Sequence, residues 1–308
     1  MRIAFLGTPE FALPSLEMLT EEGHELAVFT QPDRPKGRHG EPVPPPVKAL
    51  AAQRGLPVYQ FEKIRAPEGV AALRGFAPDL MVTAAFGQIL SEENLKIPAY
   101  GCINVHGSLL PKYRGAAPVQ WAVIGGETVT GVTTMLTDAG LDTGDMLLKR
   151  AVEIGDNETG GELMERLSHV GASLLKDTLF ALQSGTLKRE KQNDAEATKC
   201  PMLKKEHGKV DFSKTAREVH NLVRGVTPWP GAYAFLDGEP VKLHKTRLTG
   251  LSARGAAGEC AVASAAEGLF VNAADELVEV LELQFAGGKR MEASRALCGR
   301  ALFRKVLV

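Results

Sequence analysis

The chain has 308 residues, of which 44% are hydrophobic and 24% are charged. This composition excludes an intrinsically disordered protein, and the length exceeds what one hydrophobic core usually organises, so two globular domains are expected. The net charge of −1 gives no reason by itself to expect a nucleic-acid partner, which would need a local basic surface.

Short apolar runs alternate with amphipathic segments through the first half of the chain. The predicted strands are residues 3–6, 26–30, 80–85 and 102–105, and the predicted helices are residues 11–19, 47–53 and 119–124. This β-α-β-α order predicts a doubly wound α/β domain with a mainly parallel sheet. Such sheets bind their ligands beyond the carboxyl ends of the strands.

The same domain is predicted to end with strands at residues 132–136 and 146–154 and a long helix at residues 162–182, so that it covers residues 1–190. Residues 191–205 are polar without periodicity and are interpreted as a linker. The remainder, residues 206–308, shows one helix at 215–224 and short strands at 232–236, 241–245, 259–263 and 277–283. This pattern predicts a smaller C-terminal β-barrel domain of the OB-like kind.

Several classes of protein are excluded by what the sequence lacks. The first residues lack the zones of a secretory signal, and no apolar stretch is long enough to span a bilayer. The 4 cysteines lie far apart, which argues against both a zinc site and a disulfide framework. We therefore expect a cytoplasmic protein with no bound metal and no membrane partner.

Gly7 closes the first predicted strand, where a dinucleotide-binding fold would place its glycine fingerprint. The residues that follow are Thr8, Pro9 and Glu10, and the Glu10 carboxylate would repel a pyrophosphate at the start of the helix. The fold is kept, but a nicotinamide-dependent oxidoreductase is rejected.

The candidate chemistry lies at the end of the strand 102–105. Asn104 and His106 alternate with apolar residues, so a strand presents both polar groups on one side. A second polar cluster follows strand 132–136 at residues 138–145, and it contains Asp142. If Asp142 reaches His106, an amide, an imidazole and a carboxylate surround one pocket.

These three groups suit acyl transfer between nitrogens. Asn104 and His106 can contact an oxyanion, and the Asp142 carboxylate can take a proton from an attacking amine and relay it to the leaving nitrogen. Taken alone, the Asn-x-His pair is more often an ordinary strand end, and residues 140–145 can be a simple turn between strands. Their combination at the ligand-binding edge of a parallel sheet favours an active site.

Residues 104–121, 131–135 and 140–145 closely resemble the 10-formyltetrahydrofolate-dependent formyltransferase family. The resemblance implies that Asn104, His106 and Asp142 take the catalytic positions. It also implies a dissociable 10-formyltetrahydrofolate cosubstrate, held by two loops and by the turn before Asp142. These predicted contacts are Ser108, Leu109, Leu110, Pro111, Phe86, Gly87, Gln88, Ile89, Leu90, Asp138 and Gly140.

Many members of the family have tyrosine at the position of Phe86. The ring is preserved here, but a hydroxyl contact is lost, and Phe86 can equally be a core residue. Family members act on glycinamide ribonucleotide, on nucleotide-linked amino sugars or on aminoacyl-tRNA, so the shared core does not choose the acceptor.

Peripheral segments are similar to the branch of the family that formylates initiator methionyl-tRNA. They are the loop at residues 30–38, the segment 201–206 and the Pro228–Ala232 segment. Trp229 in the last of these is interpreted as bracing the barrel against the first domain, in preference to stacking on a nucleotide. The resemblance implies tRNA contacts through basic residues of the loop and of the C-terminal domain. These predicted contacts are Arg34, Lys36, Arg38, Lys204, Lys205, Lys209, Lys242, Lys245 and Arg247.

The same basic residues can also be ordinary solvated charges. After Arg38 the loop reads His39, Gly40, Glu41 and Pro42 where relatives often carry lysine, so this loop is expected to engage fewer phosphates. No obligate protein partner is predicted. Three alternatives stay open at this point: transfer to a small amine such as an amino-sugar nucleotide, hydrolysis of the formyl donor, and non-catalytic tRNA binding.

Overall fold

The structure is a computed structural model that describes residues 1–35 and 40–308. Lys36 and Arg38, two predicted tRNA contacts, lie outside the described residues. The chain forms two compact units, of which the first contains residues 1–115, 130–152 and 164–200. The second contains residues 116–129, 153–163 and 201–308, so two short segments that precede residue 164 pack with the C-terminal residues. The division at residues 190 and 206 stays a sequence prediction.

The elements up to Cys200 alternate strands and helices. The strands are β1 (Arg2–Gly7), β2 (Glu25–Thr30), β3 (Arg34–Pro35), β4 (Pro42–Val43), β5 (Val58–Gln60), β6 (Leu80–Ala84), β7 (Cys102–His106), β8 (Arg114–Gly115), β9 (Val129–Leu136), β10 (Met146–Glu153) and β11 (Lys199–Cys200). The helices are α1 (Leu13–Glu21), α2 (Pro46–Gln53), α3 (Pro67–Phe76), α4 (Glu92–Leu95), α5 (Pro118–Ile124) and α6 (Gly160–Gln183). Of these elements, the sequence did not predict helices α3 and α4 or the short strands β3, β4, β5, β8 and β11.

Seven strands of the first unit form one sheet in the order β10-β9-β7-β6-β1-β2-β5. β1 pairs in parallel with β2 and with β6. β2 also pairs in parallel with β5, and β6 pairs in parallel with β7. β9 is antiparallel to β7. The prediction of a doubly wound, mainly parallel sheet is confirmed. The strand order reverses beside β1, with β2 on one side and β6 on the other, so the ends of β1 and β6 form the switch point where such sheets bind ligands.

The central strands are apolar because both faces of the sheet are covered. In β1, the residues from Ile3 to Leu6 have no exposed surface, and every residue of β6 is buried. Burying one such side chain stabilises the fold by about 1.5–3 kcal/mol. This rigid core fixes the strand ends from which the functional loops leave.

The second unit contains α7 (Ala216–Gly225), β12 (Ala232–Leu236), β13 (Glu239–Ser252), β14 (Cys260–Ser264), β15 (Gly268–Asn272), β16 (Glu276–Phe285), β17 (Met291–Glu292) and α8 (Ala293–Leu297). Its sheet has the order β12-β13-β16-β15-β14, all antiparallel, and β17 pairs with β16. β15 was missed, although it completes a hairpin with β14.

The end of the chain closes this sheet into a barrel. Phe235 of β12 exchanges two backbone hydrogen bonds with Val308, at 2.7 and 2.9 Å. On the other edge, the Cys260 N–H of β14 donates to the Lys305 carbonyl at 2.8 Å. Because both edges are paired with residues 305–308, no edge strand is left open there. The predicted C-terminal barrel is confirmed.

Helix α7 begins with a capping box between Thr215 and Glu218 and buries one face against the barrel core. Its buried polar side chains reach the loop before α6. Arg224 donates to the carbonyls of Gly155 and Glu158 at 2.9 and 3.1 Å, and His220 Nε2 lies 3.1 Å from the Asp156 carbonyl. His220 Nδ1 lies 2.9 Å from Thr246 Oγ1.

We expect His220 to make the protein less stable in acid. Burial, and then the charges of Arg224 and Arg217, hold the pKa of His220 below its ordinary value of 6.5, with opposing contributions from Asp156. His220 therefore binds a proton more readily in the unfolded chain than in the folded chain. Because the unfolded state takes up more protons in acid, the free energy of unfolding falls as the pH drops below about 6.5. Urea unfolding between about pH 8 and pH 5 measures this fall.

The matched variants are His220→Gln and His169→Gln. The glutamine that replaces His220 keeps hydrogen-bonding capacity without a titrating ring, so the free energy of unfolding should depend less steeply on pH. His169 is exposed, and its replacement should leave the wild-type dependence. Equal slopes for wild type and His220→Gln would contradict the prediction.

Candidate active site

Asn104 is the middle residue of β7, and the neighbouring strand β6 holds its side chain. Thr83 of β6 lies opposite Asn104 in the parallel register, and its Oγ1 donates to Asn104 Oδ1 at 2.9 Å. With Oδ1 accepting from the Thr83 hydroxyl, Asn104 Nδ2 is directed away from Thr83, and both of its N–H groups face the other side. The amide is thereby oriented as a donor.

His106 is the last residue of β7, and its side chain is 5% exposed. Its Nε2 lies 2.9 Å from the Tyr113 carbonyl, which can only accept, so Nε2 carries the hydrogen. In the neutral ring Nδ1 is then the acceptor. Nδ1 is directed toward Asp142, with 3.8 Å between Nδ1 and Oδ2.

Asp142 lies in the turn between β9 and β10 and has φ +52°, a left-handed conformation that side-chain-bearing residues seldom adopt. The Gly115 N–H donates to its Oδ2 at 2.8 Å. Gly115 itself has φ +125°, and a Cβ there would lie 2.2 Å from the Cys200 carbonyl oxygen. A glycine is therefore required where the backbone supports the carboxylate.

The structure brings the three predicted catalytic residues to one place. Asn104 and His106 share a strand face, and the Asp142 carboxylate faces the imidazole across 3.8 Å. An oriented amide donor, an imidazole with one free nitrogen and a mostly buried carboxylate lie at the carboxyl end of the sheet. This arrangement can stabilise a developing oxyanion and accept a proton.

The predicted folate loop at residues 108–111 is fixed from within. Ser108 is fully buried; its hydroxyl donates to the Lys112 carbonyl at 2.7 Å and its own carbonyl accepts from Thr133 Oγ1 at 2.7 Å. The Leu110 N–H donates to the same Thr133 oxygen at 3.1 Å, and the Leu110 side chain packs with Met135 and Met146. These side chains shape the loop, and their contact with folate stays a prediction.

The turn that carries Asp142 is organised by Asp138. Thr143 Oγ1 donates to both Asp138 carboxylate oxygens at 2.8 and 2.9 Å, and the Gly140 N–H donates to Oδ1 at 3.0 Å. A Cβ at Gly140 would lie 2.0 Å from Thr143 Oγ1. Asp138 and Gly140 thus build the turn, and their role in folate binding stays a prediction.

Residues 86–90 follow β6 at the switch point of the sheet. The Phe86 ring belongs to the apolar core cluster around Leu6 and Phe29, and the Phe86 carbonyl accepts from Thr8 Oγ1 at 2.9 Å. Gln31 Nε2 donates to the Gly87 carbonyl at 3.0 Å, and Gln88 is tied to the main chain of Phe61 and Ile64. The loop is therefore held rigidly while Ile89 stays exposed.

Two predicted tRNA contacts already have an acidic partner. Arg34 Nη2 lies 2.5 Å from Glu62 Oε2, and Arg247 Nε lies 2.7 Å from Glu279 Oε2. Because these cations are neutralised locally, their net pull on a phosphate is weaker than that of an unpaired charge. The sequence alone does not reveal either pairing.

The other basic residues of this set that lie in the described part of the chain are exposed. Lys204 Nζ lies 3.7 Å from Glu206 Oε1, and Lys209 Nζ lies 5.8 Å from the centre of the Phe235 ring. Lys242 and Lys245 project from β13. Their contact with tRNA stays a prediction. Trp229 is 53% exposed, and its role stays a prediction.

Sequence reasoning gave no role to several residues that support the trio. Thr83 and Gly115 lie in segments where the pairing register, not the local sequence, creates the contact. Gln192 lies in the stretch interpreted as a linker, yet its Nε2 donates to the Asp142 carbonyl at 2.8 Å. A polar segment without periodicity gave no signal of this contact.

Cys102 lies beside the site but is not suited to nucleophilic chemistry. It is 1% exposed, and burial raises the pKa of its thiol to about 11. The thiol therefore stays protonated and packs as a small apolar side chain.

A doubly wound α/β unit with an amide, an imidazole and a carboxylate at its strand ends, joined to an antiparallel barrel, defines an acyl-transferring enzyme. The sequence matches the family described as "Formyl transferase" over residues 1–179 and "Formyl transferase, C-terminal domain" over residues 202–301. The chain belongs to the formyl transferase family.

Curated relatives match the chain over nearly its whole length. A methionyl-tRNA formyltransferase of Geotalea uraniireducens is 52% identical over 300 residues, covering 97% of this chain and 95% of that protein. A methionyl-tRNA formyltransferase of Ruminiclostridium cellulolyticum is 50% identical over 305 residues, covering 98% of this chain and 97% of that protein.

Solved structures of more distant proteins share the fold. An N-formyltransferase from Helicobacter canadensis, in complex with folinic acid and dTDP-3-aminofucose, has a TM-score of 0.66 and 19% identity, covering 94% of this chain and 99% of that one. HypX from Aquifex aeolicus in complex with tetrahydrofolic acid has a TM-score of 0.65 and 19% identity, covering 96% of this chain but 47% of that one.

Residues 1–35 and 40–308 lack two features that would indicate other classes of protein. No group of three or more His, Cys, Asp or Glu side chains is placed to hold a metal ion in this part of the chain. In the same residues, no helix is both long and apolar enough to cross a membrane.

Proposed function

We propose that this protein transfers the formyl group of 10-formyltetrahydrofolate to the free amino group of methionine on initiator methionyl-tRNA. The chemistry rests on the convergence of Asn104, His106 and Asp142, with 3.8 Å between the imidazole and the carboxylate. The acceptor rests on identity of about one half with methionyl-tRNA formyltransferases over nearly the full length of both chains. This proposal places the protein in the cytoplasm, with the tRNA that it formylates.

The residues beyond β6 fit a flat heteroaromatic folate ring. In the described structure, the main-chain groups of Ile89 and Leu90 make no hydrogen bond, while neighbouring carbonyls of the loop are already used. A ring edged with donors and acceptors needs such free main-chain partners, and the exposed Ile89 side chain offers apolar contact. When bound, 10-formyltetrahydrofolate supplies a formyl group on a nitrogen that can leave.

Asn104 stabilises the negative charge that develops on the formyl oxygen when the amine attacks the formyl carbon. Its Nδ2 is oriented by the Thr83 hydroxyl, so its N–H groups need no rearrangement during the reaction. His106 faces the same region through Nδ1, because its Nε2 hydrogen is committed to the Tyr113 carbonyl. A protonated ring donates through Nδ1, toward either the oxyanion or Asp142.

Asp142 accepts the proton that the amine loses as the new carbon–nitrogen bond forms. The same proton is returned to the folate nitrogen as the old carbon–nitrogen bond breaks, so the pair of steps is balanced without an external acid. The Gly115 N–H holds the carboxylate in place for both transfers.

Binding of tRNA relies on exposed cations rather than on overall charge. Lys204, Lys205 and Lys209 lie close together in sequence and are exposed, and Lys242 and Lys245 lie on the barrel. Such residues track phosphates and make binding sensitive to salt. Trp229 adds an exposed aromatic surface for a nucleotide. No protein partner is required by this function.

The test is transfer of radiolabelled formyl from 10-formyltetrahydrofolate to charged initiator tRNA, beside charged elongator tRNA, free methionine and a nucleotide-linked amino sugar. We expect label on the charged initiator tRNA alone, lost in the His106→Ala variant. Label on the amino sugar would assign the small-amine function. Free formate without any labelled acceptor would assign hydrolysis, and intact donor in every reaction would leave a non-catalytic binding protein.

A further inference from the structure

The turn that carries Asp142 needs support from outside itself. Asp142 is held at φ +52°, in the left-handed region that residues with a side chain adopt uncommonly. Gln192 supplies the support from a segment 50 residues away. Its Nε2 donates to the carbonyls of Asp142 and Gly144, both at 2.8 Å.

The Gln192 amide has only one workable orientation. The two carbonyls can only accept, so the group that faces them must be the NH2 group, and both of its hydrogens are used. On its other side, Gln192 Oε1 accepts from Arg114 Nε at 2.9 Å. A carboxylate in this place would put an acceptor against two acceptors, so glutamate is excluded by charge although its size fits.

Arg114 connects the Gln192 amide to the His106 imidazole and to the Asp142 carboxylate. Its side chain is buried, and its guanidinium also donates to Asp194 at 2.8 Å. Its two chain neighbours hold the reacting groups, since the Tyr113 carbonyl accepts from His106 and the Gly115 N–H donates to Asp142. A shift of the Asp142 turn relative to Arg114 therefore changes the gap between imidazole and carboxylate.

We propose that Gln192 is a positioning residue for the reaction, locking the Asp142 turn to Arg114 so that the carboxylate and the His106 imidazole keep their spacing. Gln192 belongs to the stretch read from sequence as a linker, and this role rests on the proposed function. It contacts the main chain of Asp142 and Gly144 and acts on the reaction only through Asp142.

The test is the variant Gln192→Met, which keeps the length of the side chain but makes no hydrogen bond. We expect kcat for formyl transfer to fall about 10- to 100-fold with little change in KM, since outer-shell partners of this kind are worth that much. The matched control is Gln183→Met. Gln183 is exposed at the end of α6 and makes no side-chain hydrogen bond in the described structure, so its replacement should leave kcat unchanged.

A double-mutant cycle separates positioning from general stability. If Gln192 acts through Asp142, then Gln192→Met should slow the wild type but cause no further loss in the Asp142→Asn background. An equal loss in both backgrounds, or a kcat equal to that of the wild type, would overturn the proposal. The melting temperature of each variant is measured alongside to identify any loss of folded protein.

A readout without catalysis keeps this inference separate from the proposed function. Amide hydrogen exchange of Gly115 should accelerate in Gln192→Met, because a loosened Asp142 turn releases the carboxylate that this N–H contacts. Unchanged exchange at Gly115 would overturn the positioning role even if the wild type proved inactive on every amine. If the wild type is inactive on tRNA but the Gly115 amide exchanges faster in Gln192→Met, the proposed tRNA acceptor is wrong and the positioning role of Gln192 is supported.

Discussion

Asp142→Asn should lower kcat for formyl transfer by about 10²- to 10⁴-fold with KM nearly unchanged. The substitution removes the proton acceptor and keeps the shape, because an asparagine Oδ1 can still accept from the Gly115 N–H that now donates at 2.8 Å. The loss therefore reports chemistry rather than folding. Steady-state kinetics with initiator methionyl-tRNA and 10-formyltetrahydrofolate measure both constants.

The control for this change is Asp156→Asn, an exposed aspartate of the second unit whose carboxylate lies 3.6 Å from Arg217. It should leave kcat within about twofold of the wild type, as expected for a surface charge with a weak partner. A kcat for Asp142→Asn within the same range would remove Asp142 from the mechanism and leave His106 to carry the proton.

The parallel sheet could be predicted from the sequence because strands that are buried on both faces consist of continuous apolar residues. Strands such as β1 and β6 are continuous apolar runs between helical patterns, and both were placed correctly. Helix α3 was not predicted because Gly69, Gly75 and Pro67 interrupt its pattern of apolar residues. Pro67 lies in the first turn of the helix, where proline is favourable for helix formation. Barrel closure by residues 305–308 depends on pairing between distant segments, which no local pattern encodes.

The sequence could predict Asn104 and His106 as candidate catalytic residues because their spacing places them on one side of strand β7. The sequence could not predict the hydrogen bonds that support these residues. Gln192 lies 78 residues from Arg114, and only the folded chain brings its amide to the turn of Asp142. Likewise, the sequence alone suggests that Arg34 is an unpaired cation, whereas in the structure Arg34 forms an ion pair with Glu62.

This difference has a general physical cause. A catalytic side chain leaves a local trace because the element that carries it must have a certain periodicity and end at a certain place. A residue that holds another in position needs only to be near it in space, and polar segments impose no periodicity that would reveal the contact. Hydrogen-bond partners of buried groups, such as the buried Arg114, are the features by which such residues are found in a structure.

Asn104→Ala should lower kcat/KM by about 10²- to 10³-fold, the range measured when one oxyanion donor is removed from an acyl-transfer site. The Nδ2 donors disappear, and the Thr83 hydroxyl loses the acceptor that it now contacts at 2.9 Å. Asn104→Asp should be more damaging, because it replaces the donor by a negative charge beside the oxygen that becomes negative. Both variants are compared at saturating folate.

Thr83→Val separates donation from orientation. It is close in shape to the wild type and leaves the Asn104 donors in place, but it removes the hydroxyl that fixes the amide. If orientation contributes, its kcat/KM should lie between those of the wild type and Asn104→Ala. A value equal to the wild type would mean that the amide finds its orientation from the substrate alone. Full activity in Asn104→Ala would leave the protonated His106 ring, donating through Nδ1, as the group that meets the developing charge, because its Nε2 hydrogen is already given to the Tyr113 carbonyl.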